Sequence, residues 1–243
     1  MPVLSINTTD AADITSKDVY VTGRYALAET GAAAVEGALE VRGRGNSTWS
    51  MDKKPYRLKL TTSRSLLGMP ASRHWVLLAN HSDKTLMRND ITFMFSRSLG
   101  MEYTPRSQYV DLMVNGVYSG VYQLVEHIRI DKNRVNIPEL KVGDTTADKI
   151  SGGYLLEIDS RRGEDFCIDS RIPMELPAVP MVFCLASPET LLQREWQQQR
   201  DYIENYIHAT EAAIFFSNFS DPLVGYAAYL DVDSAINYYL INS

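Results

Sequence analysis

With 243 residues the chain has room for one large domain or two small ones. Its 45% hydrophobic and 22% charged residues are those of an ordinary globular protein, and a net charge of −6 argues against general nucleic-acid binding. No apolar run reaches the ~18 residues of a membrane span, and the N-terminus lacks the basic-then-apolar pattern of a signal peptide.

Residues 3–7 and 18–28 read as strands around a polar turn, and 31–37 as a small-residue loop. Residues 39–42 and 56–60 read as two more strands. In the second, Tyr56, Leu58 and Leu60 share one face while Arg57 and Lys59 share the other. Between these strands lies the most distinctive stretch of the chain. Arg42, Arg44, Lys53, Lys54, Arg57 and Lys59 crowd into residues 42–59 of an acidic protein. Gly43 and Gly45 permit close backbone approach or positive φ, and Asn46, Ser47 and Thr48 add small donors. Such a loop can present N–H groups and cations to a phosphate. The same pattern also fits a plain β-hairpin with a basic face, since GRGNST keeps only the first two glycines of G-x-G-x-x-G.

Residues 66–72 read as loop and 75–79 as a short buried strand. Asn80 to Asp83 supply helix-start residues, followed by an apolar stripe of Met87, Ile91, Met94, Phe95 and Leu99, with Gly100 as the stop. Beside that stripe, Arg88 and Asn89 suit either a functional role or a tie from helix to loop. Tyr109 to Val125 reads as a hairpin turned at Asn115-Gly116, and Gly120 suggests a bulge or close packing. A strand at 154–158 and another at 179–185 follow. From Ser187 the pattern turns helical: Ser187-Pro188 reads as a cap with a first-turn proline, and Trp196, Ile203, Ile207, Thr210 and Ile214 form a long amphipathic stripe. Asp231 caps a last helix with Val232, Ile236, Tyr239 and Leu240 apolar. The expected architecture is α+β: a mostly antiparallel sheet lobe over residues 1–186 with one inserted helix, then C-terminal helices over 187–243.

Common catalytic signatures are missing. There is no G-x-S-x-G, HExxH or Walker loop, and the four histidines show no metal spacing. Glu157/Asp159 and Asp231/Asp233 are carboxylate pairs, read as a strand end and a helix cap, with a hydrolase built on the first pair as a remote reading. Cys167 and Cys184 either pair or remain two thiols, the second being the simpler reading. Asn7, Asn46 and Asn218 fit the N-glycosylation pattern, which matters only in a eukaryotic secretory pathway.

Several long motifs, in order, resemble the spore-coat protein H (CotH) family: RGRGNSTWSMDKKPYRLKL, WVLLANHSDKTLMRND, TPRSQYVDLMVNGVYSGVYQLVEHIRIDKNRVNI and GGYLLEID. The match extends to PVLSINT and ITSKDVYV at the start and DVDSAINYYLIN at the end. The resemblance implies an atypical protein kinase with a divergent kinase-like fold. Such a kinase uses ATP and Mg²⁺ or Mn²⁺ to phosphorylate serine-type hydroxyls of protein substrates, and relatives look exported or displayed on the bacterial surface. On that reading Gly43, Arg44, Gly45, Asn46, Ser47 and Thr48 cover the nucleotide phosphates. Lys54 or Lys59 holds them, Arg57 assists, and Glu126 is a hinge or an acidic partner for the lysine. The family's catalytic and metal-binding aspartates are expected after DVDSAINYYLIN, so the chain is expected to be an incomplete or inactive form. The alternative is a non-catalytic exported or surface module that binds a protein or glycan.

Overall fold

The computed structural model describes residues 1–158, 166–172 and 181–242. Two compact units divide the chain, Met1–Ile128 and Arg129–Ser243. The boundary expected at 186/187 falls inside the second.

The first unit is a closed barrel of seven strands: β1 (Val3–Thr8), β2 (Val21–Ala28), β3 (Val35–Gly43), β4 (Tyr56–Leu66), β5 (Met69–Leu78), β6 (Ser107–Val114) and β7 (Val117–Glu126). Their order around the barrel is β1-β2-β3-β4-β5-β7-β6. Neighbours are antiparallel except at the seam, where β1 runs parallel to β6 with Val3 opposite Asp111. An odd number of alternating strands forces one parallel contact when the sheet closes. Closure corrects the expected α+β, kinase-like lobe: this unit is a barrel without an open sheet edge. The seam joins residues more than a hundred positions apart, and no local periodicity encodes it.

Inward positions alternate along each strand and build one core. Leu4, Ile6, Leu27, Leu39, Val41, Leu58, Leu60, Trp75, Leu77, Leu112 and Leu124 are all essentially sealed from solvent. Trp75 satisfies its indole N–H on the Ser72 carbonyl at 3.1 Å. The expected loop at 66–72 is instead a tight hairpin between β4 and β5, turned by Leu67 (φ 49) and Gly68 (φ 74). The β6–β7 hairpin turns at Asn115 and Gly116, both at positive φ. Register slips between Leu112 and Met113, opposite Gly120 at φ 101, which marks a bulge.

Helix α1 (Arg88–Ser98) begins later than the sequence pattern suggests, and its stripe does not enter the core. Met87, Ile91, Met94 and Phe95 are exposed, and Ser96 is the buried residue of the helix.

The second unit contains α2 (Ala147–Ile150) and a three-stranded sheet of β8 (Leu155–Ile158), β9 (Cys167–Asp169) and β10 (Val182–Ser187), ordered β8-β10-β9. Two longer helices follow, α3 (Gln197–Phe215) and α4 (Val232–Asn242). Leu140, Ile168, Leu185, Leu191, Trp196 and Ile203 form its core. Ser187 ends β10 and α3 starts at Gln197, so Ser187-Pro188 does not cap the helix. Asp231 does cap α4, accepting the Ser234 hydroxyl at 2.7 Å. The two-thiol reading is corrected: Cys167 and Cys184 sit opposite each other in register and form a disulfide. Among the described residues, no helix is long and apolar enough to cross a membrane. Glu157 lies on β8, whereas Asp159 falls outside the described residues.

Candidate functional site

The site grows out of the connection between β3 and β4. Alternation along both strands sends Leu39, Val41, Leu58 and Leu60 into the barrel, so Glu40, Arg42, Arg57 and Lys59 must point outward. Register then sets Glu40 opposite Lys59 and Arg42 opposite Arg57. The first pair is an ion pair at 2.8 Å. In the second, like charges face each other, which weakens a sheet unless an anion sits nearby.

The loop that follows is built for close approach. Gly43 has no room for a side chain, since a Cβ there would run into the Trp49 indole. Gly45 adopts φ +85, and a Cβ would strike the Thr48 hydroxyl. Arg44 N–H donates to the Pro55 carbonyl at 3.1 Å and closes the loop on itself, while residues Ser47–Ser50 form a single 3-10 turn. The amides of Gly45, Ser47 and Thr48 have no partner among the described residues.

Two contacts fasten the loop to the barrel. Lys53 Nζ donates to the carbonyls of Ala79 (2.8 Å) and Val121 and lies 4.5 Å from the centre of the Tyr122 ring. Burial lowers the pKa of this ammonium. The Tyr122 hydroxyl donates to the Lys54 carbonyl at 2.9 Å, and burial, reinforced by Tyr56, raises its pKa and keeps it a neutral donor.

Arg44 stands at the centre of this loop. Its guanidinium makes no hydrogen bond or ion pair among the described residues. Burial disfavours its charge most, followed by Arg57 and Arg42. It opens onto two cavities. One, of about 270 Å³, is lined by Lys17, Asp18, Arg42, Arg57 and His127. The other, of about 300 Å³, is lined by Lys53, Asn80, His81, Asp83, Arg88 and Asn89. Both are net basic in a chain of net charge −6. Such an arrangement can bind an anion with several ionised oxygens.

The expected site residues separate into groups. Arg44, Gly45, Asn46 and Arg57 line the first cavity, whereas Gly43 and Ser47 are their neighbours along the chain and line neither. Lys54 turns back on the loop, donating to the Trp49 carbonyl at 2.8 Å and lying over its ring. Lys59 is engaged with Glu40. Glu126 is buried at the end of β7, where Arg106 donates from its backbone N–H (3.0 Å) and its guanidinium (3.1 Å), and the Tyr103 hydroxyl donates at 3.3 Å. It braces the strand end against residues 103–106, with no contact to Lys54 or Lys59 in these bonds.

Arg42 and Lys53 belong to the basic cluster of residues 42–59 without being among the residues that the family resemblance assigns, and Lys17 and His127 join the cavities from outside that cluster. Arg42 was within reach of sequence reasoning, because the alternation that exposes Arg57 also exposes Arg42 on the neighbouring strand. Lys17 and His127 carry no local signal. Arg88 and Asn89 do tie helix to loop, through Arg88–Asp83 at 3.8 Å and Asn89 to the Asn80 side chain at 2.9 Å, yet both also face the second cavity.

Comparison with known families fits this loop into a larger pattern. The model of a family described as CotH kinase protein matches residues 41–243, from the end of β3 through α4. The chain belongs to the CotH kinase protein family. A search of curated proteins finds no match. The CotH match begins at Val41, so it contains the glycine loop and both cavities but not Lys17 and Asp18.

The residues present fit a nucleotide's phosphates: a cradle with no room for Cβ atoms, and loop amides and a guanidinium that have no partner among the described residues. Among the described residues no group of three or more His, Cys, Asp or Glu side chains could hold an ion.

Proposed function

We propose that this CotH-family chain binds the phosphates of ATP in the loop between β3 and β4, as part of an ATP-dependent protein kinase that acts on serine-type hydroxyls. The observation that carries the reading is Arg44: a partly buried, unpaired guanidinium beside Arg42 and Arg57 on a glycine loop. Holding it unpaired costs stability, and a bound polyanion reverses that cost. Arg42 and Arg57 supply charge from the strands, the loop amides supply directional donors, and Lys53 fixes the loop in place. In the transfer, the γ-phosphorus loses its bond to the bridging oxygen of ADP and gains one to the acceptor hydroxyl, whose proton is released. Mg²⁺ or Mn²⁺ belongs to this proposal as the usual companion of ATP. An exported location also belongs to it, supported by the Cys167–Cys184 disulfide, a bond that persists in oxidising compartments.

Binding is tested by thermal melts with and without ATP plus Mg²⁺ or Mn²⁺. Ligand at about 100 times Kd contributes roughly 2.7 kcal/mol, which raises Tm by about 5–10 °C for a chain of this size. Phosphate transfer is followed with γ-labelled ATP and a serine-rich acceptor protein. Absence of any shift at millimolar nucleotide would overturn the reading. A shift without transfer would favour a non-catalytic nucleotide-binding module.

A further inference from the structure

The two cavities that meet at Arg44 carry more than a generic preference for anions. Each has its own cations. On one side stand Lys17, Arg42 and Arg57 with Asp18, and on the other Lys53 and Arg88 with Asp83. Asp83 is already committed, since it accepts the Arg88 backbone N–H at 2.9 Å and the Thr85 hydroxyl at 2.7 Å. Arg44 belongs to both sides and has no partner on either. Among the described residues neither cavity is lined by Tyr, Trp or Phe, His127 is the one ring at the first, and the apolar lining of the second is confined to Pro55, Leu78 and Ala79.

We infer that Arg44 separates two phosphate subsites, so that these two cavities recognise a run of at least two phosphates rather than a base. The inference rests on the nucleotide reading above and narrows it to one part of the ligand. The Arg42–Arg57 side takes one phosphate and the Lys53–Arg88 side the next, with Arg44 donating to both. A planar fork of five N–H donors suits such a bridge. Lys53 spends two of its donors on the carbonyls of Ala79 and Val121, so on the second side Arg88 is the mobile cation that closes on the ligand. Its side chain is 85% exposed and its contact with Asp83 is long, at 3.8 Å, which leaves it free to move.

Isothermal titration of the whole chain at matched ionic strength tests this, using inorganic phosphate, pyrophosphate, tripolyphosphate, ATP and GTP. Tripolyphosphate, ATP and GTP are expected to bind within about threefold of one another, and inorganic phosphate at least about tenfold more weakly, the loss of one charge-assisted contact set. Arg88→Gln, at an exposed position that does not threaten folding, is expected to weaken tripolyphosphate and ATP about tenfold and leave inorganic phosphate unchanged. If ATP binds and tripolyphosphate does not, the base carries recognition; the inference is overturned and the nucleotide reading survives. If inorganic phosphate binds as tightly as tripolyphosphate, or Arg88→Gln changes nothing, there is one subsite and the inference is again overturned. If no phosphate compound binds, both readings fall together.

Discussion

Replacing Arg44 by Gln should make the free protein more stable and the ligand-bound protein weaker. Arg44 is partly buried, lacks a partner among the described residues and is repelled by Arg57 and Arg42. Arg44 lies in the loop just after β3, with Arg42 two residues before it and Arg57 on β4, and relief of each repulsion is taken at about 0.2–1 kcal/mol, the scale of a cross-strand charge pair. Gln keeps the stem and a donor, so little packing is lost. The expected gain is on the order of 0.5–1.5 kcal/mol, a rise in Tm of about 1–6 °C at two to four degrees per kcal/mol. The bound state loses a charged donor to phosphate, worth about 1.5–3 kcal/mol, or roughly 10- to 150-fold in Kd for ATP. Differential scanning calorimetry with and without ATP reads both effects in one preparation. An Arg44→Gln protein that melts lower than wild type, yet still binds ATP as tightly, would refute the reasoning. That result would show Arg44 to be a structural residue with a favourable environment.

Other positions give independent checks. Lys53→Met removes the donors to Ala79 and Val121 and should destabilise the protein by about 1–3 kcal/mol in urea unfolding while also weakening ATP. Changing Cys167 and Cys184 together to Ser opens a loop with a sequence separation of 17 and should cost about 3 kcal/mol; reductant should lower the Tm of the wild type and not that of the variant. Hydrogen bonds from the Arg88 N–H and the Thr85 hydroxyl lower the pKa of Asp83. A depressed carboxylate stabilises the 80–88 loop above its unfolded value, near 3.9, and that support vanishes as pH falls through the lower folded value. The protection factor of the Arg88 amide, its exchange rate taken relative to the intrinsic rate at each pH, should therefore fall as pH drops below about 5 in the wild type and stay flat in Asp83→Asn. Glu126→Ala removes the buried acceptor of the Arg106 backbone N–H, the Arg106 guanidinium and the Tyr103 hydroxyl and should cost about 1–3 kcal/mol, with Tm as the readout.

The sequence by itself determined the local pieces. Period-two alternation set which faces of residues 39–42 and 56–60 turn inward, and Asn115-Gly116 specified a turn with two positive φ angles. The crowding of cations around Gly43 and Gly45 marked the loop that lies beside two basic cavities. Each of these features is written within a few residues, where backbone geometry alone couples them.

Tertiary structure decided what depends on distant pairing. Closure of the barrel rests on β1 against β6, and both the pairing of Glu40 with Lys59 and the opposition of Arg42 to Arg57 follow from one register that a single-residue slip would destroy. Which lysine serves the loop was also settled there. Lys54 and Lys59 find the Trp49 carbonyl and Glu40, while Lys53 reaches carbonyls 26 and 68 positions away. The apolar stripe beside Arg88 shows the same limit from the other side. Met87, Ile91, Met94 and Phe95 have the spacing of a core-facing helix, yet they stand in solvent. Spacing fixes which residues share a face, but only the packing of the whole chain determines whether anything covers it.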